Sequence, residues 1–150
     1  MIVRAAAAGD VAAMAAIAEA SYRVAFADIL EPEALAARDA AFFDGFFADK
    51  IASCRVAERD GRVVAFAKTT GEHLDMLFVA PGAQGSGAGS ALLAAVEADG
   101  VRTLECFRDN HAARRFYERR GWRLARAYER EFIGRTRAFV FYEKGPTKSP

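Results

Sequence analysis

Apolar positions along the chain follow two periods, one suited to helices and one to strands. Val11, Met14, Ala18, Tyr22 and Ala25 recur at helical spacing and predict a helix over Val11–Phe26. A short apolar strand, Ile2–Arg4, precedes it, and Gly9-Asp10 supplies a break with Asp10 as the N-cap. A second helix is predicted from Glu31-Pro32, where proline is preorganised for the first turn. It runs through an alanine-rich stretch to Phe42, Phe43, Phe46 and Phe47, with Gly45 as its break.

Strand patterns take over next. Ser53–Glu58 and Arg62–Lys68 are rich in apolar and β-branched residues, and Asp60-Gly61 between them suits a two-residue turn in which both residues need positive φ. Leu74–Val79 is apolar on both alternating faces, as a strand buried between two layers must be. A helix is expected from Gly87 to Ala98, a strand over Thr103–Phe107 and a helix over Asn110–Arg120 stopped by Gly121. Trp122–Phe132 and Arg137–Glu143 then form a strand pair around Ile133-Gly134-Arg135. Helices interleaved with hairpins and strand–helix–strand units favour an α/β domain with a mixed sheet.

With 150 residues, one domain is expected, over 1–145, followed by a flexible tail at 146–150. A hydrophobic content of 53% excludes the disordered and collagen-like classes. The net charge of +1 gives no global pull towards nucleic acid or an anionic membrane. The halves differ, however: residues 1–75 carry 8 basic and 12 acidic side chains, and residues 76–150 carry 13 and 8, which suggests an anionic ligand for the second half or a solvated basic helix face. Cys54 and Cys106 fit no metal or redox spacing and read as core thiols. His73 and His111 have no ligand spacing between them, so no metal is expected. The start of the chain lacks a signal-peptide pattern, and a cytoplasmic location is expected.

Four glycines at 82, 85, 87 and 89, between a buried strand and a helix, free the backbone to turn N–H groups towards an anion at a helix start. Gly89 is followed by Ser90-Ala91 rather than Lys-Ser/Thr, which argues against nucleoside triphosphate hydrolysis. The dinucleotide fingerprint fails at its third glycine, where Ser90 stands.

Gln84-Gly85-Ser86-Gly87-Ala88-Gly89 resembles the Gln/Arg-x-x-Gly-x-Gly/Ala pyrophosphate loop of the GNAT N-acetyltransferase superfamily, and Leu77-Phe78-Val79-Ala80-Pro81 stands where those proteins have Leu-x-Val-x-Pro. Downstream, Asn110-His111-Ala112-Ala113-Arg114-Arg115-Phe116-Tyr117-Glu118-Arg119-Arg120-Gly121-Trp122 is similar to the superfamily's Asn-x-x-Ala-x-x-Phe-Tyr-x-x-x-Gly-Phe, with Trp122 for the common Phe. The resemblance spans residues 2–143, and Gly71–Val79 looks like the small, single-domain bacterial branch.

That resemblance implies a GNAT fold: a mixed, mostly antiparallel sheet of six to seven strands, splayed between strands 4 and 5 and flanked by about four helices. It implies acetyl-CoA as cofactor, CoA as product, and transfer of the acetyl group to a primary amine by direct attack in a ternary complex. Main chain at Leu77, Phe78 and Val79 would pair with the pantetheine arm, and the Val79 N–H would donate to the thioester oxygen. Gln84, Gly85, Ser86, Gly87, Ala88, Gly89 and Ser90 would hold the pyrophosphate, with Asn110, Ala113 and Phe116 lining the cofactor. Tyr117 would protonate the departing sulfur, its alternative being a buried aromatic that packs its helix.

The base is read more openly. His73 begins the strand where relatives often carry an acid or base, and an imidazole suits amine deprotonation through a water. The alternative is a surface histidine at a strand edge. Asp75, two residues on and expected on the same face as His73 and Val79, could serve as base, orient His73, bind a cation or be structural. Glu72 and Glu105 are weaker candidates. Tyr22, Phe26, Phe42, Phe43, Phe46 and Phe47 fall in the helices that bound the acceptor site in relatives, although core packing explains most of them.

The acceptor is expected to be a small-molecule or peptide amine, with no nucleic acid or membrane partner. A homodimer through the final strand pair is an open expectation. A non-catalytic acetyl-CoA-binding sensory or interaction module is the alternative function. Arg114, Arg115, Arg119, Arg120, Arg123 and Arg126 are read as a solvated face interleaved with acids such as Glu118, rather than a nucleic-acid surface.

Overall fold

A computed structural model describes residues 1–145 and forms one seven-stranded sheet in the order β1-β2-β3-β4-β5-β7-β6. The tail expected at 146–150 lies outside the described residues. The strands are β1 (Ile2–Ala5), β2 (Cys54–Arg59), β3 (Arg62–Thr70), β4 (His73–Val79), β5 (Thr103–Phe107), β6 (Arg123–Phe132) and β7 (Arg135–Glu143). Five helices flank them: α1 (Val11–Ala25), α2 (Pro32–Ala37), α3 (Ala40–Phe47), α4 (Ala88–Ala98) and α5 (His111–Glu118). All neighbouring strands are antiparallel except β4 and β5.

The β2–β3 hairpin turns at Asp60-Gly61, with φ of 54° and 76°, as the dipeptide requires. The sheet separates two cores. On one face Phe47, Phe66, Phe43 and Phe139 pack with α1 and α3; on the other Leu92, Leu93, Val96, Trp122 and Tyr142 pack with α4 and α5. β4 supplies Met76 and Phe78 to the first core and Leu77 and Val79 to the second, which explains its continuous apolar run.

Three local expectations are corrected. The second helix breaks at Arg38-Asp39, not at Gly45, because the Asp39 carboxylate accepts from the Phe42 N–H (2.8 Å) and starts a new helix, while Glu19 of α1 accepts from the Ala40 N–H (2.7 Å). Asp10 makes no side-chain cap on α1. Its carboxylate instead accepts from the Ala7 N–H and pairs with Arg4, closing a short 3-10 turn at Ala8–Asp10.

The third correction bears on the site. Lys68 pairs across with Met76 and Thr69 with Leu74, so Asp75 is an extra residue on β4. Such a bulge reverses the alternation of side chains, and His73 therefore does not share a face with Val79. It stacks on Phe141 of β7, ring centroids 5.9 Å apart, on the side of the sheet that Met76 and Phe78 occupy.

A candidate active-site cleft between two splayed strands

β4 and β5 pair only at His73↔Thr103 and Leu74↔Leu104, and beyond those positions they part. The Ala80 N–H donates to the Val64 carbonyl across β3, so the ladder alternation points the N–H and C=O groups of Leu77 and Val79 away from β3 and into the opening. The Gln84 side chain reaches the Val79 carbonyl at 3.2 Å. Two cavities, of about 500 and 370 Å³, meet at this opening and share Leu77, Phe78, Asn110, Ala113 and Tyr117 in their walls.

The smaller cavity opens beside the glycine-rich turn, with Pro81, Gln84 and Gly89 in its wall. Pro81–Ala83 forms a 3-10 turn, after which Gly85 and Gly87 adopt φ of 79° and 87°, while Gly82 needs no such freedom. Gly87 caps α4 and has no side chain of its own; the Ala88 N–H donates to Ser86 Oγ at 3.4 Å, and the N–H groups of Gly89 and Ser90 that follow are left available to an anion. Gly89 lies against the Phe116 ring and Val79, where a Cβ would stand 3.4 Å from each, an ordinary van der Waals contact. Arg120 lies over the Phe116 ring at 3.8 Å and donates to Ser90 Oγ from Nε at 3.2 Å, bringing a fixed positive charge to the start of α4. Arg119 lines the same cavity.

α5 starts at Asn110, whose Oδ1 accepts from the Ala113 N–H at 3.3 Å. The helix delivers Phe116 to the smaller cavity and Tyr117 to the wall common to both. Tyr117 is 8% exposed, and among the described residues its hydroxyl has no protein partner. Burial, reinforced by the neighbouring Cys106, pushes its phenol well above the usual range and keeps it protonated. Cys106 itself lines the larger cavity rather than being a plain core thiol, and burial pushes it up to about 12.

The larger cavity is walled by aromatics and floored by charges. Tyr22, Phe26, Phe42, Phe43 and Phe46 line it, whereas Phe47 belongs wholly to the core. Asp75 is engaged twice, by Lys68 Nζ at 2.8 Å and by the Thr70 hydroxyl. His73 places Nδ1 2.8 Å from Thr103 Oγ1, and that hydroxyl is 3.5 Å from the Glu72 carbonyl. Glu105 accepts from Tyr128 and from Arg130, and although burial opposes it, those hydrogen bonds hold its carboxyl below the usual range.

Of the residues expected in the site, His73, Asp75, Leu77, Phe78, Val79, Gln84, Gly89, Glu105, Asn110, Ala113, Phe116 and Tyr117 line one or both cavities, whereas Gly85, Ser86, Gly87, Ala88 and Ser90 lie in the glycine-rich turn and the first turn of α4, outside those walls. Glu72 lines neither cavity, and its carbonyl accepts from the Arg102 and Thr103 N–H groups. Sequence reasoning missed Lys68, although a lysine at an inward position of an apolar strand is a signal in itself. The arginines are also more engaged than a solvated face would be: Arg114 binds the Tyr142 hydroxyl at 3.0 Å and Arg126 covers the Phe141 ring at 4.2 Å, beside the Arg120 contacts. Among the described residues no cluster of ligating side chains suits a metal ion, and no helix is long and apolar enough to cross a membrane.

The model of the acetyltransferase (GNAT) family matches residues 11–122. A solved GCN5-related N-acetyltransferase from Rhodopseudomonas palustris is 30% identical, covers 95% of this chain and 94% of its own, and superposes with a TM-score of 0.77. PaiA N-acetyltransferase from Thermoplasma acidophilum, solved with coenzyme A, shares the fold at 16% identity, 96% and 98% coverage and a TM-score of 0.75. So does a ribosomal-protein-alanine N-acetyltransferase from Brucella melitensis, at 22% identity, 96% and 99% coverage and 0.71. No curated protein matches the sequence.

Proposed function

Because the chain belongs to the GNAT acetyltransferase family, with acetyl-CoA as its cofactor, we propose that it acetylates a primary amine by direct attack with both substrates bound. The observation that carries the reading is the opening between β4 and β5, where the Leu77 and Val79 N–H groups turn away from β3 and the Tyr117 side chain borders two adjoining cavities. When bound, acetyl-CoA supplies an activated acetyl thioester.

The chain's own residues divide the remaining work. The N–H groups at the start of α4, with Arg119 and Arg120 nearby, suit a pyrophosphate, and the β4 main chain suits an amide-bearing arm. The Leu77 and Val79 N–H groups are the donors on offer to the thioester oxygen. An alkylammonium has a pKa near ~10 and must lose a proton before it can attack. When the Thr103 hydroxyl donates to the Glu72 carbonyl it accepts from His73 Nδ1–H, and in that tautomer His73 keeps the Nε2 lone pair to take the proton, directly or through a water. Asp75, tied to Lys68 and Thr70, orders the charges around the acceptor, and Glu105 stays ionised and is a weak base.

In the transfer, Tyr117 would give its proton to the departing sulfur; of the two protons the ammonium loses on becoming an amide, His73 would hold the first and pass it to solvent, and the second would return to the Tyr117 oxygen, restoring the phenol. The raised Cys106 thiol disfavours an acyl-cysteine route and supports direct transfer. Calorimetric titration with acetyl-CoA, CoA and NADH, followed by thiol release with an amine panel, tests the proposal. Micromolar binding of the CoA ligands alone and thiol release only in the presence of an amine are expected. Thiol release without amine, or no binding by the folded protein, would overturn it.

A further inference from the structure

The break between α2 and α3 sets a cation into the aromatic wall of the larger cavity. Arg38 caps α2 with φ −104° and ψ 57°, and the backbone after it is fixed by Asp39 and Glu19. Its guanidinium carbon stands 4.1 Å from the centre of the Phe42 ring and 5.9 Å from that of Phe132, and its charge partly offsets the effect of burial on the Tyr22 phenol.

Three lysines and arginines line this cavity, and two are neutralised within it: Lys68 by Asp75 and Arg130 by Glu105. Arg38 alone has no carboxylate within ion-pair distance among the described residues. The acid next to it in sequence and the one that secures the following helix start are spent elsewhere, Asp39 on the Phe42 N–H and Glu19 on the Ala40 N–H and Arg23. A guanidinium presents a planar fork of donors that matches a carboxylate, and an apolar wall strengthens such a contact by excluding water. Arg38 also lines only the larger cavity, whereas Tyr117 stands at the junction with the smaller one, so anion anchor and proton donor lie apart in one space.

We propose that the acceptor is a small molecule bearing a carboxylate beside its primary amine and an apolar or aromatic side chain, with the carboxylate held by Arg38. This rests on the reading of the site as an amine acetyltransferase. A polyamine would meet an uncompensated positive charge and two acids already neutralised. A peptide N-terminus would leave Arg38 without a partner, since its first carboxyl group is an amide. The free volume, about 500 Å³, lies within the range of pockets that enclose one small ligand.

The test compares L-phenylalanine, phenethylamine, spermidine and a neutral-side-chain peptide with a free N-terminus and an amidated C-terminus as acceptors for wild type, Arg38→Gln and Arg38→Lys. Wild type is expected to favour phenylalanine over phenethylamine at least tenfold in kcat/KM. Arg38→Gln should erase that preference through KM while leaving phenethylamine within about twofold, and Arg38→Lys should restore part of it. Equal or better use of phenethylamine, spermidine or the peptide, or an equal loss on all amines in Arg38→Gln, would overturn the proposal. Calorimetry of N-acetyl-L-phenylalanine binding to the CoA-saturated protein separates the two failures. Binding that is lost in Arg38→Gln, without turnover of any amine, keeps the anion subsite and removes the acetyltransfer reading. Turnover of amines with no such binding removes the subsite alone.

Discussion

Lys68 and Asp75 form an ion pair, Nζ to Oδ2 at 2.8 Å, at the point where β4 carries one residue more than β3. The lysine is 8% exposed and lies on the cavity side of β3, the side that Phe66 occupies, and the extra residue on β4 is the carboxylate that meets it.

Lys68→Met removes the cation and leaves a partly buried carboxylate with one hydroxyl partner. A loss of about 2 kcal/mol is expected, between the values for exposed and fully buried pairs. The double variant with Asp75→Asn should regain at least half of it. Urea denaturation of the four proteins checks this, and simple additivity would show that the pair is not coupled.

Tyr117→Phe removes a hydroxyl with no protein partner, so stability is expected to stay within about 0.5 kcal/mol of wild type. CoA affinity should remain within a few-fold while kcat falls about 100-fold. Parallel loss of affinity and turnover would assign Tyr117 to packing.

Gly87 sits at φ 87°, a conformation that asparagine and aspartate tolerate better than other side chains. Gly87→Asn and Gly87→Asp therefore share similar strain and differ in charge. CoA is expected to bind the Asp variant at least tenfold more weakly than the Asn variant, with a gap that narrows as salt rises. Equal affinities would mean that no phosphate approaches this turn.

Glu31 is held by Arg137, and those hydrogen bonds lower its carboxyl to about 2 from an ordinary 4.5. A carboxyl depressed in the folded state adds stability that is complete above its unfolded value and lost as the pH falls through the folded one. Melting temperature should thus decline between about pH 4.5 and about pH 2, with Glu31→Gln less stable at neutral pH and less sensitive to acid. Identical pH curves for the two proteins would exclude the pair as a contributor.

Most of the fold was legible because its elements follow local rules: helical spacing in Val11–Ala25, a positive-φ dipeptide at Asp60-Gly61, and a doubly apolar strand ending in glycines. What escaped depends on contacts between distant segments. The α2–α3 break needs the Asp39 cap and is secured by Glu19, 21 residues away from Ala40. Asp75 reads as an ordinary strand position until its pairing with β3 is known, and that single extra residue decides which way His73 faces. Arg38 carried no motif, and its isolation appears only once the partners of Lys68 and Arg130 are identified.

Two paired positions are all that fasten the β1–β4 half of the sheet to the β5–β7 half through β4 and β5. A ligand that bonds to the Leu77 and Val79 main chain acts as a missing rung, so part of the molecule's rigidity is borrowed from its cargo. Anything that binds the folded form alone raises its stability with concentration. The seam would then loosen or tighten with the supply of cofactor, and the slowing of amide exchange at these two residues would gauge that supply.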